Sequence, residues 1–123
     1  MTRDELIAQT RRLIDEGERI AASPSRPALN TWLAGSDALL SAAWGSMDRY
    51  HLAWLEVGRI AQPLRGRQLD AAEEASEVRA VVAAKGAVLR AALDAVERLG
   101  MPFLGESRPR AAAEKAGLPD HLF

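Results

Sequence analysis

The chain has 123 residues, of which 48% are hydrophobic and 27% are charged, and it contains no cysteine. This length suits one domain with a core of ordinary size, and the composition is too apolar for a disordered protein. The formal net charge of −1 excludes a bulk attraction to nucleic acid or anionic lipid, and the lack of cysteine excludes disulfides, thiolate metal sites and cysteine nucleophiles. Charged side chains are spread through residues 1–20, and no stretch has the roughly eighteen apolar residues of a membrane span. We therefore expect a cytoplasmic protein without a membrane association.

A capping box predicts the start of the first helix, which we place at 3–22. Thr2 and Glu5 have the Thr-x-x-Glu spacing in which each side chain satisfies a free backbone amide of the first turn. The residues that repeat along one face are Leu6, Thr10, Leu13, Gly17 and Ile20. Glycine costs up to about 1 kcal/mol in a helix interior relative to alanine. We therefore expect a second helix to pass close to Gly17.

The next two helices are predicted from their ends. The second is placed at 27–44, because Pro27 is tolerated in a first turn and Gly45 can adopt the left-handed conformation just after a helix. The third is placed at 47–61, because apolar residues continue at helical spacing until Pro63 disfavours helical geometry at the residue before it.

The longest helical pattern in the chain predicts a fourth helix at 69–99. Asp70 and Glu73 can cap its start, Gly100 follows its end, and Gly86 weakens it without breaking the pattern. The apolar side chains at helical spacing are Val78, Val81, Val82, Leu89, Leu93, Val96 and Leu99. A helix of this length can support the shorter helices along it. The sequence therefore predicts an all-α protein, an antiparallel bundle of four main helices.

The remaining residues form a tail with a short helix of their own. We expect a helical bundle at 1–100 and a tail at 101–123, with a short tail helix near 110–116. The tail ends in the apolar side chains of Leu122 and Phe123, whereas a solvated end would carry polar residues. We expect these side chains to dock on the bundle or in a groove of a partner.

The sequence contains no motif that indicates catalysis. It has no nucleophile elbow, phosphate-binding loop, dinucleotide fingerprint or zinc-protease signature. Asp48, His51 and Glu56 have the spacing of helical metal ligands, but the Glu-x-x-His motif of a bundle metal site is missing, and a solvated polar face explains them better. We expect no enzyme activity, no cofactor and no metal.

Two groups of residues are candidates for binding. The three tryptophans are all on the second and third helices, where large aromatic side chains either fill the core or anchor a partner. The candidate partner-binding residues are Trp32, Trp44, Trp54, Leu122 and Phe123. A basic patch could instead contact phosphates if the tail folds back beside the loop before the fourth helix. The candidate residues for nucleic-acid binding are Arg59, Arg65, Arg67, Arg108 and Arg110, although a scattered, solvated set explains them better.

One part of the chain resembles a small helical module of unknown function that is found in bacterial proteins, some of which carry defence or nucleotide-signalling domains. The residues that carry the resemblance lie within 6–60: Leu13–Ile20, Trp32 with Leu33, Leu39 with Leu40, and Trp44 to Ser46. The resemblance implies an interaction module and assigns no catalytic residue. We therefore expect a non-catalytic adaptor or assembly subunit that binds another protein or itself. The alternatives are a nucleic-acid-associated subunit and a bundle that binds a small ligand.

Overall fold

The computed structural model of the protein describes residues 1–45, 48–58 and 69–106. These residues form four α-helices and no strand: α1 (Arg3–Ala22), α2 (Arg26–Trp44), α3 (Arg49–Glu56) and α4 (Ala71–Glu97). The predicted all-α fold is confirmed. The bounds predicted for the first, second and fourth helices agree with the structure to within two residues. The short tail helix predicted near 110–116 lies outside the described residues.

Both predicted caps are present. Thr2 Oγ1 accepts a hydrogen bond from the backbone N–H of Glu5 at 3.1 Å, and the Glu5 carboxylate accepts one from the N–H of Thr2 at 3.4 Å. At the start of α4, Asp70 Oδ1 accepts a hydrogen bond from the N–H of Glu73 at 2.8 Å. This backbone hydrogen bond lowers the pKa of Asp70, because it favours the charged carboxylate.

The third helix is shorter than the predicted range 47–61, and that prediction was wrong. α3 ends at Glu56, and Gly58 follows with a φ of +63°. A Cβ atom at Gly58 would lie 3.2 Å from the Val81 carbonyl oxygen and 3.2 Å from Ala84 Cβ. The chain therefore turns away from helical geometry where its backbone meets α4, a contact that no local sequence signal reveals.

Contacts between the first and last helices establish their direction. Arg11, in the middle of α1, pairs with Glu97 at the end of α4, and Glu18, farther along α1, pairs with Arg90 of α4 at 3.1 Å. Because the order of the contacts reverses, α1 and α4 run antiparallel. None of the helices in the described part of the chain is both long enough and apolar enough to span a bilayer.

The end of α4 explains why one residue of the predicted apolar stripe is not in the core. Leu99 is 64% exposed, so its predicted place in the stripe was wrong. The helix stops at Glu97, Gly100 adopts a φ of +67°, and the N–H of Met101 donates to the Ala95 carbonyl at 2.9 Å. This hydrogen bond reaches six residues back along the chain, and the positive φ of Gly100 lets the chain reverse there and leaves Leu99 on the outside.

α1 and α2 approach each other closely at Gly17. Trp32 of α2 is 2% exposed, and its ring atom Cζ2 lies 3.1 Å from the position that a Cβ atom of Gly17 would take. The Trp32 indole N–H donates to the Leu13 carbonyl at 2.7 Å. The predicted close approach at Gly17 is therefore confirmed, and the partner is a tryptophan side chain of the next helix.

The Gly17→Leu variant should lower the free energy of unfolding by about 1–3 kcal/mol, because overpacking displaces the Trp32 ring. The measurement is urea unfolding followed by circular dichroism. The matched control is Gly35→Leu on α2, where the nearest atom would lie 3.6 Å from the new Cβ. That variant should be as stable as the parent chain or more stable. Equal losses in both variants would contradict this explanation.

Candidate functional site

An open groove lies at one end of the bundle, between the end of α2, the start of α3 and residues 101–104. Its volume is about 370 Å³. The residues that line it include the aromatic, aliphatic and basic side chains of Trp44, Arg49, Tyr50, Met101, Phe103 and Leu104. We call this feature the Trp44 groove. It brings together residues that are more than fifty positions apart in the sequence.

An aromatic pair forms one wall of the Trp44 groove. The ring centroids of Trp44 and Tyr50 lie 4.7 Å apart with their planes tilted by 49°. Both side chains are half-buried, and Trp44 also packs against the buried core of the bundle. The Tyr50 hydroxyl lies 4.0 Å from the sulfur of Met101. Each side chain is therefore partly covered by other residues of the bundle and partly exposed in the groove.

The opposite wall comes from the chain after α4. The N–H of Leu104 donates to the Ala43 carbonyl at 2.7 Å, which satisfies a carbonyl in the last turn of α2. Phe103 is buried beside Ala43, while the neighbouring Leu104 is 57% exposed. This segment therefore uses one apolar side chain to attach to the bundle and presents the next one to solvent.

A charged contact near the chain's N-terminus holds the same segment in place. The Arg3 guanidinium donates to both carboxylate oxygens of Glu106, at 2.9 and 3.0 Å. It also donates to the Val96 carbonyl at 2.9 Å and lies 5.9 Å from the ring centroid of Phe103. Because a two-point contact to a carboxylate restricts geometry more than a single one, Arg3 restricts how residues 103–106 can move.

The rim of the Trp44 groove carries one acidic and one basic side chain. Asp48 and Arg49 are both exposed at the start of α3. Arg49 forms no ion pair with a carboxylate in residues 1–45, 48–58 or 69–106. Five other arginines of these ranges do form such pairs: Arg3, Arg11, Arg26, Arg90 and Arg98. The groove therefore combines an apolar wall with a cation that is available to an acidic group.

The structure separates the three candidate tryptophans. Trp32 and Trp54 are 2% and 5% exposed, so they belong to the core and present no surface to a partner in this fold. Trp44 is the one that reaches solvent. The other candidate partner-binding residues, Leu122 and Phe123, lie outside the described residues.

The candidate nucleic-acid residues also lie outside the described residues: Arg59, Arg65, Arg67, Arg108 and Arg110. The basic patch that the sequence suggested therefore stays a prediction. In the described part of the chain, the pKa of Arg26 is raised chiefly by its hydrogen bond to Glu74, with a further contribution from Glu77. That arginine is held by carboxylates of α4 instead of facing an outside phosphate.

The interpretation of His51 as part of a solvated polar face was wrong. His51 is 6% exposed, and its Nε2 atom hydrogen-bonds to Asp37 of α2. Its ring is nearly parallel to that of Trp54, with centroids 6.5 Å apart. Within the described ranges, no group of three or more histidine, cysteine or acidic side chains could hold a metal ion.

We call Asp37, His51 and the buried Lys85 of α4 the polar cluster of α3; Lys85 was not among the predicted site residues. The Lys85 ammonium donates to the Trp54 carbonyl and lies 4.0 Å from the centroid of the Trp54 ring. That carbonyl belongs to the last turn of α3, where backbone oxygens have no partner within the helix. A signal was available: Lys85 stands between Val82 and Leu89 on the apolar face of α4.

No protein-family model, curated protein or solved structure matches this chain. The candidate site therefore rests on geometry alone. His51 and Lys85 are buried and serve the packing of α3. The Trp44 groove, in contrast, is open to solvent and combines aromatic, aliphatic and cationic groups. The groove is the stronger candidate for binding.

The Lys85→Met variant should lower the free energy of unfolding by about 1–3 kcal/mol, because a buried carbonyl loses its donor. The control is Arg79→Met, since Arg79 also extends from α4 to a carbonyl at a helix end, that of Ala21, but is exposed. Its loss should stay within about 0.5 kcal/mol. Chemical denaturation of the two variants distinguishes them. A neutral or stabilising Lys85→Met would contradict a structural role for the ammonium.

The Arg3→Met variant should lower the free energy of unfolding by about 1–3 kcal/mol, since several charge-assisted hydrogen bonds are lost together. Amide hydrogen exchange at Leu104 should accelerate in the same variant. The control is Arg98→Met, which removes an exposed pair with Asp94 on one helix. Such pairs contribute about 0.3–0.5 kcal/mol. If exchange at Leu104 is unchanged in Arg3→Met, Arg3 does not hold the groove wall.

Proposed function

We propose that this protein is a non-catalytic helical interaction or assembly subunit, and that it binds another protein or a second copy of itself through the Trp44 groove. The observation that carries the proposal is the solvent-facing apolar wall formed by Trp44, Tyr50 and Leu104. Tryptophan and tyrosine are enriched among the interface residues that contribute most of the binding energy.

The geometry of the groove supports binding of an apolar side chain together with an acidic group. Arg49 stands at the rim, and Leu104 and the Trp44–Tyr50 pair face the interior. A partner segment with an apolar anchor beside an aspartate or glutamate fits this arrangement. An apolar contact would contribute most of the affinity, and the charge pair at the rim would mainly select the orientation.

Preorganisation is the second support for the proposal. Arg3 and the hydrogen bond from Leu104 to Ala43 hold one wall, and the core holds the other. A surface that is already ordered loses little side-chain entropy when a partner binds. The groove therefore has the rigidity that a recognition surface needs.

Other expectations about function stay predictions. They are the resemblance of residues 6–60 to helical modules of bacterial defence and signalling proteins, the cytoplasmic location, and the alternative roles in nucleic-acid or small-ligand binding. The nucleic-acid alternative predicts retention on RNA or DNA that weakens steeply with salt. A chain that does not bind either polymer at about 50 mM salt would remove that alternative.

The Leu104→Glu variant should abolish association, because it places a charge in the apolar wall. The matched control is Leu99→Glu, which alters a similarly exposed leucine nearby that does not line the groove. Light scattering over a concentration series measures self-association. Crosslinking in extracts of the source cells, followed by mass spectrometry, locates the contacts of a different partner.

The expected result is that contacts map to the Trp44 groove and disappear in Leu104→Glu but persist in Leu99→Glu. Association that is equally strong in the parent chain and in Leu104→Glu would contradict the proposed surface. A chain that stays monomeric and forms no crosslink, whether or not Leu122 and Phe123 are replaced by serine, would contradict the proposed function itself.

A further inference from the structure

We infer that the Trp44 groove binds the C-terminal segment of the same chain, residues 117–123, so that this segment competes with an outside partner. The inference rests on the proposed function, because it assigns the first occupant of the same groove. The segment reads Gly-Leu-Pro-Asp-His-Leu-Phe. The point where this segment is attached, its chemistry and its local concentration favour it over other occupants.

The segment is attached to the bundle close to the groove. Glu106 is fixed to the bundle by Arg3, and Leu104 already lines the groove. Residue 117 follows Glu106 by eleven positions, and an extended chain spans about 3.3–3.6 Å per residue. The reach of the connection therefore exceeds the size of the groove several times.

The side chains of the segment are chemically complementary to those of the groove. The segment carries apolar side chains at Leu118, Leu122 and Phe123, and an acidic one at Asp120. The groove offers an apolar wall and the rim cation Arg49. The segment thus supplies the combination that the groove is suited to bind, an apolar anchor beside a carboxylate.

The local concentration of the segment at the groove is high. A segment joined to the bundle by a short connection has an effective concentration in the millimolar range at the groove. A second copy of the chain or another protein at micromolar concentration competes at a large disadvantage. The segment of the same chain is therefore the occupant that the groove meets first.

The test is a competition with a labelled peptide of residues 112–123, added to the full-length chain. In the parent chain the tethered segment should exclude the peptide. The double variant Leu122→Ser with Phe123→Ser should bind it more tightly, by on the order of tenfold for each apolar side chain removed from the tethered segment. The matched control is the double variant Glu114→Ser with Lys115→Ser, which should bind the peptide as weakly as the parent chain.

A second readout uses the fluorescence of Trp44. Trp32 and Trp54 are buried, so quenching by acrylamide reports on Trp44, and Trp44→Phe should remove the quenchable component. Quenching should increase in the Leu122→Ser, Phe123→Ser variant and stay constant in the Glu114→Ser, Lys115→Ser control. Protection that disappears on dilution would overturn the inference, because a second copy would then supply the segment.

The failures of the two proposals can be told apart. If both readouts are the same in the apolar double variant and the parent chain, the inference is wrong, while association that depends on Leu104 would still support the proposed function. If the peptide binds but Leu104→Glu leaves association with other proteins unchanged, the segment occupies the groove and the proposed function is wrong.

Discussion

The contact of Trp32 with Gly17 is the constraint on which the rest of the bundle depends. An indole ring can lie across α1 only where one turn lacks a side chain, and its N–H then reaches the Leu13 carbonyl. This contact sets the distance between α1 and α2. The surface that the two helices form together is covered by α4, whose long apolar face matches it. A larger residue at Gly17 would change the separation from which the whole core is built.

The end of the bundle depends on a second constraint, the attachment of residues 101–106. After α4 the chain turns at Gly100 and runs back across the helix ends, and Arg3 and Phe103 hold it there. The Trp44 groove lies between this segment and the start of α3, and Leu104 is exposed at its wall. Arg3 is distant from the groove residues in the sequence. Its contact with Glu106 nevertheless restrains the segment that forms one wall of the groove.

The polar cluster in the core explains how a helix as short as α3 is held. Lys85 supplies the donor that the end of α3 lacks, and its charge lies over the face of Trp54, where the aromatic quadrupole is favourable to a cation. His51 connects the same helix to Asp37 of α2. These two polar contacts attach α3 to α2 and to α4.

By itself, the sequence determined the helical class, the caps at Thr2 and Asp70 and most helix bounds, because these features depend on side chains a few positions apart. It also indicated the close approach at Gly17, since a glycine inside a helix is costly without a packing reason. Only the tertiary structure decided the end of α3, the burial of His51, the carbonyl that Lys85 binds, and the assembly of the Trp44 groove. Each of these features depends on atoms from distant positions in the sequence. The spacing of residues within one helix does not indicate which residues of another helix they will contact.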